Sequence, residues 1–172
     1  MLAPLADRLL EDGVDLDIAP DDPRADDVRA LVERHLAFGH EVTPAEGVFA
    51  LGVDGLLDPS VSFYSARIDG TLAGIGALKE LDEHHAELKS MHTAEAFRGA
   101  GVGRAMVDHL LLVAAERGYR RVSLETGTAD AFVAARALYA KAGFTPCAPY
   151  GQYVGSPTSA CMTIDISPTH AT

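Results

Sequence analysis

Apolar and polar residues alternate over VDLDIAP (14–20), which predicts a first strand. The period then lengthens. Val28, Leu31, Val32, His35 and Leu36 recur at helical spacing behind Asp22 and Pro23, an N-cap and a first helical residue. Asp26 and Asp27 sit in the opening turns, and Gly39 is the expected stop. A second helix is predicted from Pro44 to Leu57, ahead of Pro59. SVSFYSARI (60–68) and TLAGIGALKEL (71–81) flank Asp69-Gly70, the signal of a tight hairpin, and HAELKSMHT (85–93) is the next strand. Val102, Met106, Val107, Leu110, Leu111 and Ala114 then share one helical face, closed by Gly118. RRVSLE (120–125) reads as a strand, and Asp130 as the cap of a helix over 131–142 stopped by Gly143. Short strands are expected at 144–146 and 159–166. The order β-α-α-β-β-β-α-β-α-β-β describes an α/β chain of the α+β type with a mixed sheet.

Composition narrows the class. The 172 residues suit a single domain with its own core, expected over 14–172 behind an N-terminal extension at 1–13. No run of apolar residues is long enough for a membrane helix. The opening MLAPLADRLLEDG has acidic residues where a secretory signal would be cleaved, so an unexported, cytoplasmic protein is expected. Cys147 and Cys161 are too few for a disulfide framework and read as free thiols. The net charge is −11, and residues 1–60 hold 14 of the 25 acidic residues but only four of the 14 basic ones. Such a chain lacks the basic footprint of a nucleic-acid binder. The acidic first third either serves solubility or attracts a cationic partner.

The most informative segment is Arg98-Gly99-Ala100-Gly101-Val102-Gly103-Arg104, directly before an amphipathic helix. Glycines let the backbone approach an anion closely, and a helix start supplies unpaired N–H groups with positive partial charge. Arg98 and Arg104 add guanidinium groups suited to phosphate oxygens. Two readings compete, a pyrophosphate cradle and a turn that merely starts a helix. In a dinucleotide fold, Glu125 would be the ribose-binding acid. Against that reading, the spacing is G-x-G-x-G, with Arg104 in place of the third glycine, and residues 93–97 separate the strand from the loop. A nicotinamide-dependent reductase is therefore the weaker alternative. A P-loop is excluded, since no Gly-Lys-Ser/Thr follows.

Arg98-x-x-Gly101-x-Gly103 resembles the R-x-x-G-x-G/A signature of the GNAT superfamily of N-acetyltransferases. Leu138-Tyr139-Ala140-Lys141-Ala142-Gly143-Phe144 is similar to that family's LYxxxGF segment, and the order of elements matches over 14–166. More narrowly, GALKEL (76–81), AELKSM (86–91), VSLETG (122–127) and CAPYGQY (147–153) resemble the YsnE-type group, over residues 35–163. The resemblance implies a twisted, mixed sheet of six to seven strands flanked by helices, with acetyl-coenzyme A between the fourth and fifth strands. It implies direct acetyl transfer to an amine (a small molecule or a lysine) through a ternary complex, without a metal, and a homodimer paired through the C-terminal strands. The acidic first third favours a cationic, polyamine-like acceptor. An acyl-coenzyme-A sensor without turnover is the alternative from another class.

Such a transfer needs a proton acceptor for the amine, donors for the oxyanion and an acid for the departing thiolate. The resemblance places Met91, His92 and Thr93 beside the cofactor through their backbone, followed by the phosphate loop Arg98, Gly99, Ala100, Gly101, Val102, Gly103 and Arg104. Tyr139 takes the position of the tyrosine near the sulfur; the plain reading is a packed helix-face tyrosine. Many relatives carry Asn seven residues earlier, where this chain has Phe132, which leaves Thr126, Thr128 or Asp130 as substitutes. Glu87 stands where several relatives place a glutamate base, on a strand face that alternation shares with His85, Lys89 and Met91. Lys89 would otherwise neutralise it in an ion pair, and His85 is the reserve base. His92 is expected to face away from the reaction. His84, His85 and His92 lack metal-ligand spacing, while His35, His40 and Glu46 are candidates for acceptor contact.

Overall fold

Seven strands join one sheet in the computed structural model, which describes residues 15–169; the expected extension at 1–13 lies outside the described residues. They are β1 (Leu16–Pro20), β2 (Val61–Ile68), β3 (Thr71–Glu80), β4 (His85–Thr93), β5 (Arg121–Gly127), β6 (Thr145–Pro146) and β7 (Ser159–Asp165). Their spatial order is β1-β2-β3-β4-β5-β7-β6. Among the described residues only β4 and β5 run parallel. That connection requires a crossover, which α3 (Val102–Glu116) provides. The doubly wound parallel sheet that a nicotinamide-binding reading of the glycine loop needs is therefore absent from the described residues.

The two faces are covered differently. Val28 and Val32 of α1 (Asp26–Val42), with Leu56 of the one-turn α2 (Val53–Leu56), bury against Phe63, Ile75 and Ala77. On the other face, Val102, Met106 and Leu110 of α3 and Tyr139 of α4 (Val133–Lys141) pack with Leu78, Leu88, Val122, Leu124 and Met162. Each fully buried Leu, Val or Met contributes roughly 1.5–3 kcal/mol by leaving water. The approach of α3 depends on Gly76, where a Cβ would lie 2.7 Å from Met106 Cγ.

Local chemistry explains where the elements start and stop. Asp69 and Gly70 both have positive φ (49° and 81°), the type I′ geometry expected of an Asp-Gly hairpin. Gly118 takes φ 87° just past α3. The first helix differs from its sequence reading at both ends. Asp22 accepts the Arg24 amide at 2.9 Å in a turn of its own, so α1 starts only at Asp26. At the other end α1 runs through Gly39 to Val42, and Thr43 is extended because Pro44 follows. The second predicted helix, 44–57, is reduced to a 3-10 turn at Ala45–Gly47 and the single turn of α2. Gly47, Gly52 and Gly55 explain this, since each costs a helix roughly 1 kcal/mol relative to Ala. Asp130 likewise opens a 3-10 turn (Asp130–Phe132) ahead of α4 and makes no side-chain cap to that helix.

Candidate active site

The parallel ladder between β4 and β5 is short. It runs from His85 opposite Arg121 to Leu88 opposite Leu124, after which the strands part while β4 continues to Thr93 and β5 to Gly127. Backbone groups of residues 89–93 that face the gap have no β5 partner. A bulge in β4 accompanies the split. Ser90 has φ 56°, and the register against β3 slips between Ala77–Lys89 and Ile75–His92. The extra residue resets the alternation, and this corrects the sequence reading of the strand. Met91 packs against the α3–α4 core instead of sharing the face of Glu87 and Lys89. His92 takes that face in its place and lines the gap, so it does not point away.

The gap is a cavity of about 180 Å³. Residues 88–92 and 124–127 form its floor, Phe132 with Ala135 and Tyr139 of α4 one wall, and α1 with residues 43–50 the other. Beyond Thr93, where β4 ends, comes the glycine loop, whose residues lie outside the cavity lining. Gly99 and Gly101 have φ 76° and 88°, and Gly101 caps α3, accepting the Ala105 amide at 3.0 Å. The amides of Val102, Gly103 and Arg104 precede any intrahelical partner, and no acidic residue occupies the first turn. Gly103 sits beside Thr93 and Leu138, 3.6 and 3.7 Å from where its Cβ would be, which joins loop, strand end and α4. Arg98 is exposed next to the loop, whereas Arg104 is engaged by Asp108 at 3.0 Å. Bare amides, left-handed glycines and an exposed guanidinium fit a pyrophosphate.

Two carboxylates stand on the polar face of the sheet, with different surroundings. Glu87 is 3% exposed and both its oxygens are engaged: Oε1 lies 3.3 Å from Lys89 Nζ, and Tyr150 donates its hydroxyl to Oε2. Lys89 also donates to the Tyr153 hydroxyl at 2.9 Å and to the Phe49 carbonyl at 3.5 Å. Burial and the Glu87 charge hold both phenols above their ordinary range. Glu125 instead lines the cavity. Burial pushes its carboxyl up to about 7, the Glu87 charge adds to this, and Ser159 and Lys89 oppose it. Tyr139 is buried on the same cavity, and desolvation followed by the Glu125 charge raises its phenol, which stays protonated across the neutral range.

The α1 wall brings His35 to His92, with their Nδ1 atoms 3.1 Å apart. Burial lowers both imidazoles to about 4, helped by the facing ring for His35 and by Arg98 for His92. Phe38 stacks edge-on against His92 (6.3 Å between centroids) and Phe132 (5.5 Å). Phe132 in turn lies against Gly127, which has no room for a side chain there.

A split between a parallel strand pair, a bulged strand and an R-x-x-G-x-G loop at a helix start now stand together. Residues 27–144 match the model of the acetyltransferase (GNAT) family. The chain belongs to the GNAT acetyltransferase family. The N-acetyltransferase YsnE of Bacillus subtilis, itself uncharacterized, is 42% identical over 83% of this chain and 95% of its own length. The uncharacterized N-acetyltransferase YedL of Escherichia coli is 42% identical over 87% of this chain and 94% of its own. A GNAT family acetyltransferase from Elizabethkingia anophelis, solved with acetyl-CoA bound, shares the fold at a TM-score of 0.58 and 18% identity, covering 88% of this chain and 98% of that one.

Within this GNAT cleft the structure gathers some predicted residues and disperses others. Tyr139, Met91 and His92 line the cavity, and of the proposed substitutes for the missing Asn only Thr126 does. Glu87 lies beneath Tyr150, outside the lining. His85 bonds Ser123 Oγ at 2.6 Å, and His84 faces solvent 3.6 Å from Glu83. His35 reaches the cavity, whereas His40 and Glu46 are exposed and outside it. Glu125 is the cavity carboxylate that reading the sequence for a base passes over. The signal was available in VSLETG, where alternation puts Ser123 and Glu125 on one face.

Proposed function

We propose that this GNAT protein transfers an acetyl group from acetyl-coenzyme A directly to a primary amine, with Glu125 as the proton acceptor and Tyr139 as the acid. The observation that carries this reading is the pairing, on one cavity beside the glycine loop, of a carboxyl held at about 7 with a phenol kept protonated. A base poised near 7 is suited to an amine at neutral pH. Bound acetyl-coenzyme A supplies a thioester open to attack. Glu125 takes the proton the amine must lose, and Tyr139 gives one to the departing sulfur. Arg98, Gly99, Ala100, Gly101, Val102, Gly103 and Arg104 hold the pyrophosphate, and the gap-facing backbone groups of Met91, His92 and Thr93 orient the acyl arm. Glu87, with both oxygens engaged, acts as the charged neighbour of Glu125 in place of the base.

Direct transfer is favoured over an acyl-enzyme because neither cysteine lines the cavity. Cys161 is raised to about 11 by burial and Cys147 is raised as well, so both are poor nucleophiles. Free thiols also suit the reducing cytoplasm. The test is calorimetric titration with acetyl-coenzyme A, followed by thiol release in the presence of amines. Binding that weakens in Arg98→Ala, together with amine-dependent release lost in Glu125→Gln, is the expected result. Binding without amine-dependent release would favour an acyl-coenzyme-A sensor, and absence of binding would remove the reading altogether.

A further inference from the structure

The lining of the cavity divides by chemistry. Glu125 and Thr126 of β5 and Tyr139 of α4 supply its polar groups, while His35, Phe38, Val48 and Phe49 form the wall contributed by α1 and the residues after it. Resting on the acetyl-transfer reading above, we propose that this wall selects a compact primary amine on an aromatic or apolar body and rejects amines that carry a second ammonium group.

The wall is built from ring surfaces held in fixed orientations. Phe38 is wedged edge-on between His92 and Phe132, and Phe49 stands edge-on to Tyr153 at 5.0 Å. His35 and His92 satisfy each other at 3.1 Å and are uncharged at neutral pH, so they extend the apolar surface. Aromatic partners in such edge-to-face arrangements gain energy beyond simple area burial. The cavity, at about 180 Å³, is small beside pockets that hold drug-sized ligands.

Charge points the same way. Among the described residues lining the cavity, Glu125 is the one carboxylate and Lys89 the one permanent cation. A single ammonium group finds Glu125. A second one would be desolvated without a carboxylate partner on the cavity lining. Among the described residues, no acidic residue of the first third lines the cavity. Four of them are also paired: Asp21 and Asp27 bind Arg67 at 3.1 and 2.7 Å, Asp22 binds Arg24 at 2.9 Å, and Glu41 binds Arg34 at 3.3 Å. The polyamine-like acceptor suggested by charge asymmetry alone is thus replaced by a monoamine.

The experiment first measures acetyl-coenzyme A binding by calorimetry, which tests the underlying reading separately. Thiol release is then followed with phenethylamine and benzylamine against putrescine, spermidine and a lysine-containing peptide. The aromatic monoamines should show kcat/KM at least about tenfold above the others, the equivalent of one strong aromatic contact. Phe38→Ala should raise KM for phenethylamine about tenfold with a smaller change in kcat. Phe49→Ala serves as the second variant if the first loses its thermal transition. With binding intact, equal or faster turnover of putrescine, spermidine or the peptide overturns the inference. So does an unchanged KM in a folded variant, or no turnover of any aromatic amine. Absence of acetyl-coenzyme A binding removes the acetyl-transfer reading and this inference with it.

Discussion

His35 and His92 face each other with their Nδ1 atoms 3.1 Å apart, tying the middle of α1 to the last turn of the bulged strand β4. One nitrogen donates and the other accepts, so the bond exists only while at least one ring is neutral. The contact joins the helix that walls the acceptor side to the strand that floors the cavity.

Acid should therefore loosen this wall. Both imidazoles sit near 4 in the fold, against an ordinary value of 6.5. Between those values the unfolded chain binds more protons than the folded one, so the stability held above pH 6.5 drains away as pH falls toward 4. The loss is on the order of 3 kcal/mol for each ring that must charge. Thermal melts across this window should show a steep fall, flattened in His35→Asn. A melting temperature independent of pH from 6.5 to 4 would contradict the pairing.

Turnover should depend on the ionisation of Glu125. Its carboxyl is held at about 7 in the free protein, so kcat/KM should drop with single-proton dependence below that pH. Glu125→Gln should cost at least about 100-fold in kcat and abolish the inflection. Glu87→Gln should keep turnover and move the inflection to lower pH, because the Glu87 charge raises Glu125. If Glu87→Gln alone removes activity without unfolding the protein, the roles are reversed.

The ion pair beneath Tyr150 and Tyr153 should be worth most when one partner is missing. Lys89→Met leaves the 3%-exposed Glu87 carboxylate with the Tyr150 hydroxyl as its remaining bond, and should destabilise by roughly 3–5 kcal/mol. The double variant Lys89→Met/Glu87→Gln should recover much of that in denaturant titrations. Additive losses would mean that the two side chains are not coupled.

Gly101 tests the loop independently of the chemistry. At φ 88° a side chain is strained, and Gly101→Ala should cost about 1–2 kcal/mol of stability. It should also weaken acetyl-coenzyme A binding at least about tenfold by moving the first amides of α3. Unaltered calorimetric affinity would show that these amides do not meet the phosphates.

The elements built on local chemistry could be read along the chain. Asp69-Gly70 specified its turn because few residues accept two consecutive positive φ values, and Val102 to Ala114 declared a helix by their spacing. The weaker readings were those in which distant residues decided. Pro44 rather than Gly39 ended α1, and the glycines that open residues 44–57 are used for packing, as where Gly47 meets Thr158.

The family, the glycine loop and the order of the strands and longer helices were legible in local patterns, because each is marked by neighbours within a few residues. The inner layout of the site came from long-range packing. One bulged residue, Ser90, shifted the alternation of β4, packing Met91 against the α3–α4 core and putting His92 on the face of Glu87 and Lys89, with both still on the cavity lining. The parting of β4 and β5 after Leu88 and Leu124 then exposed Glu125, while Tyr150 and Lys89 enclosed Glu87. A strand pattern states which residues share a face only while the ladder stays regular, and the hydroxyl that closes over Glu87 comes from Tyr150, 63 positions along the chain.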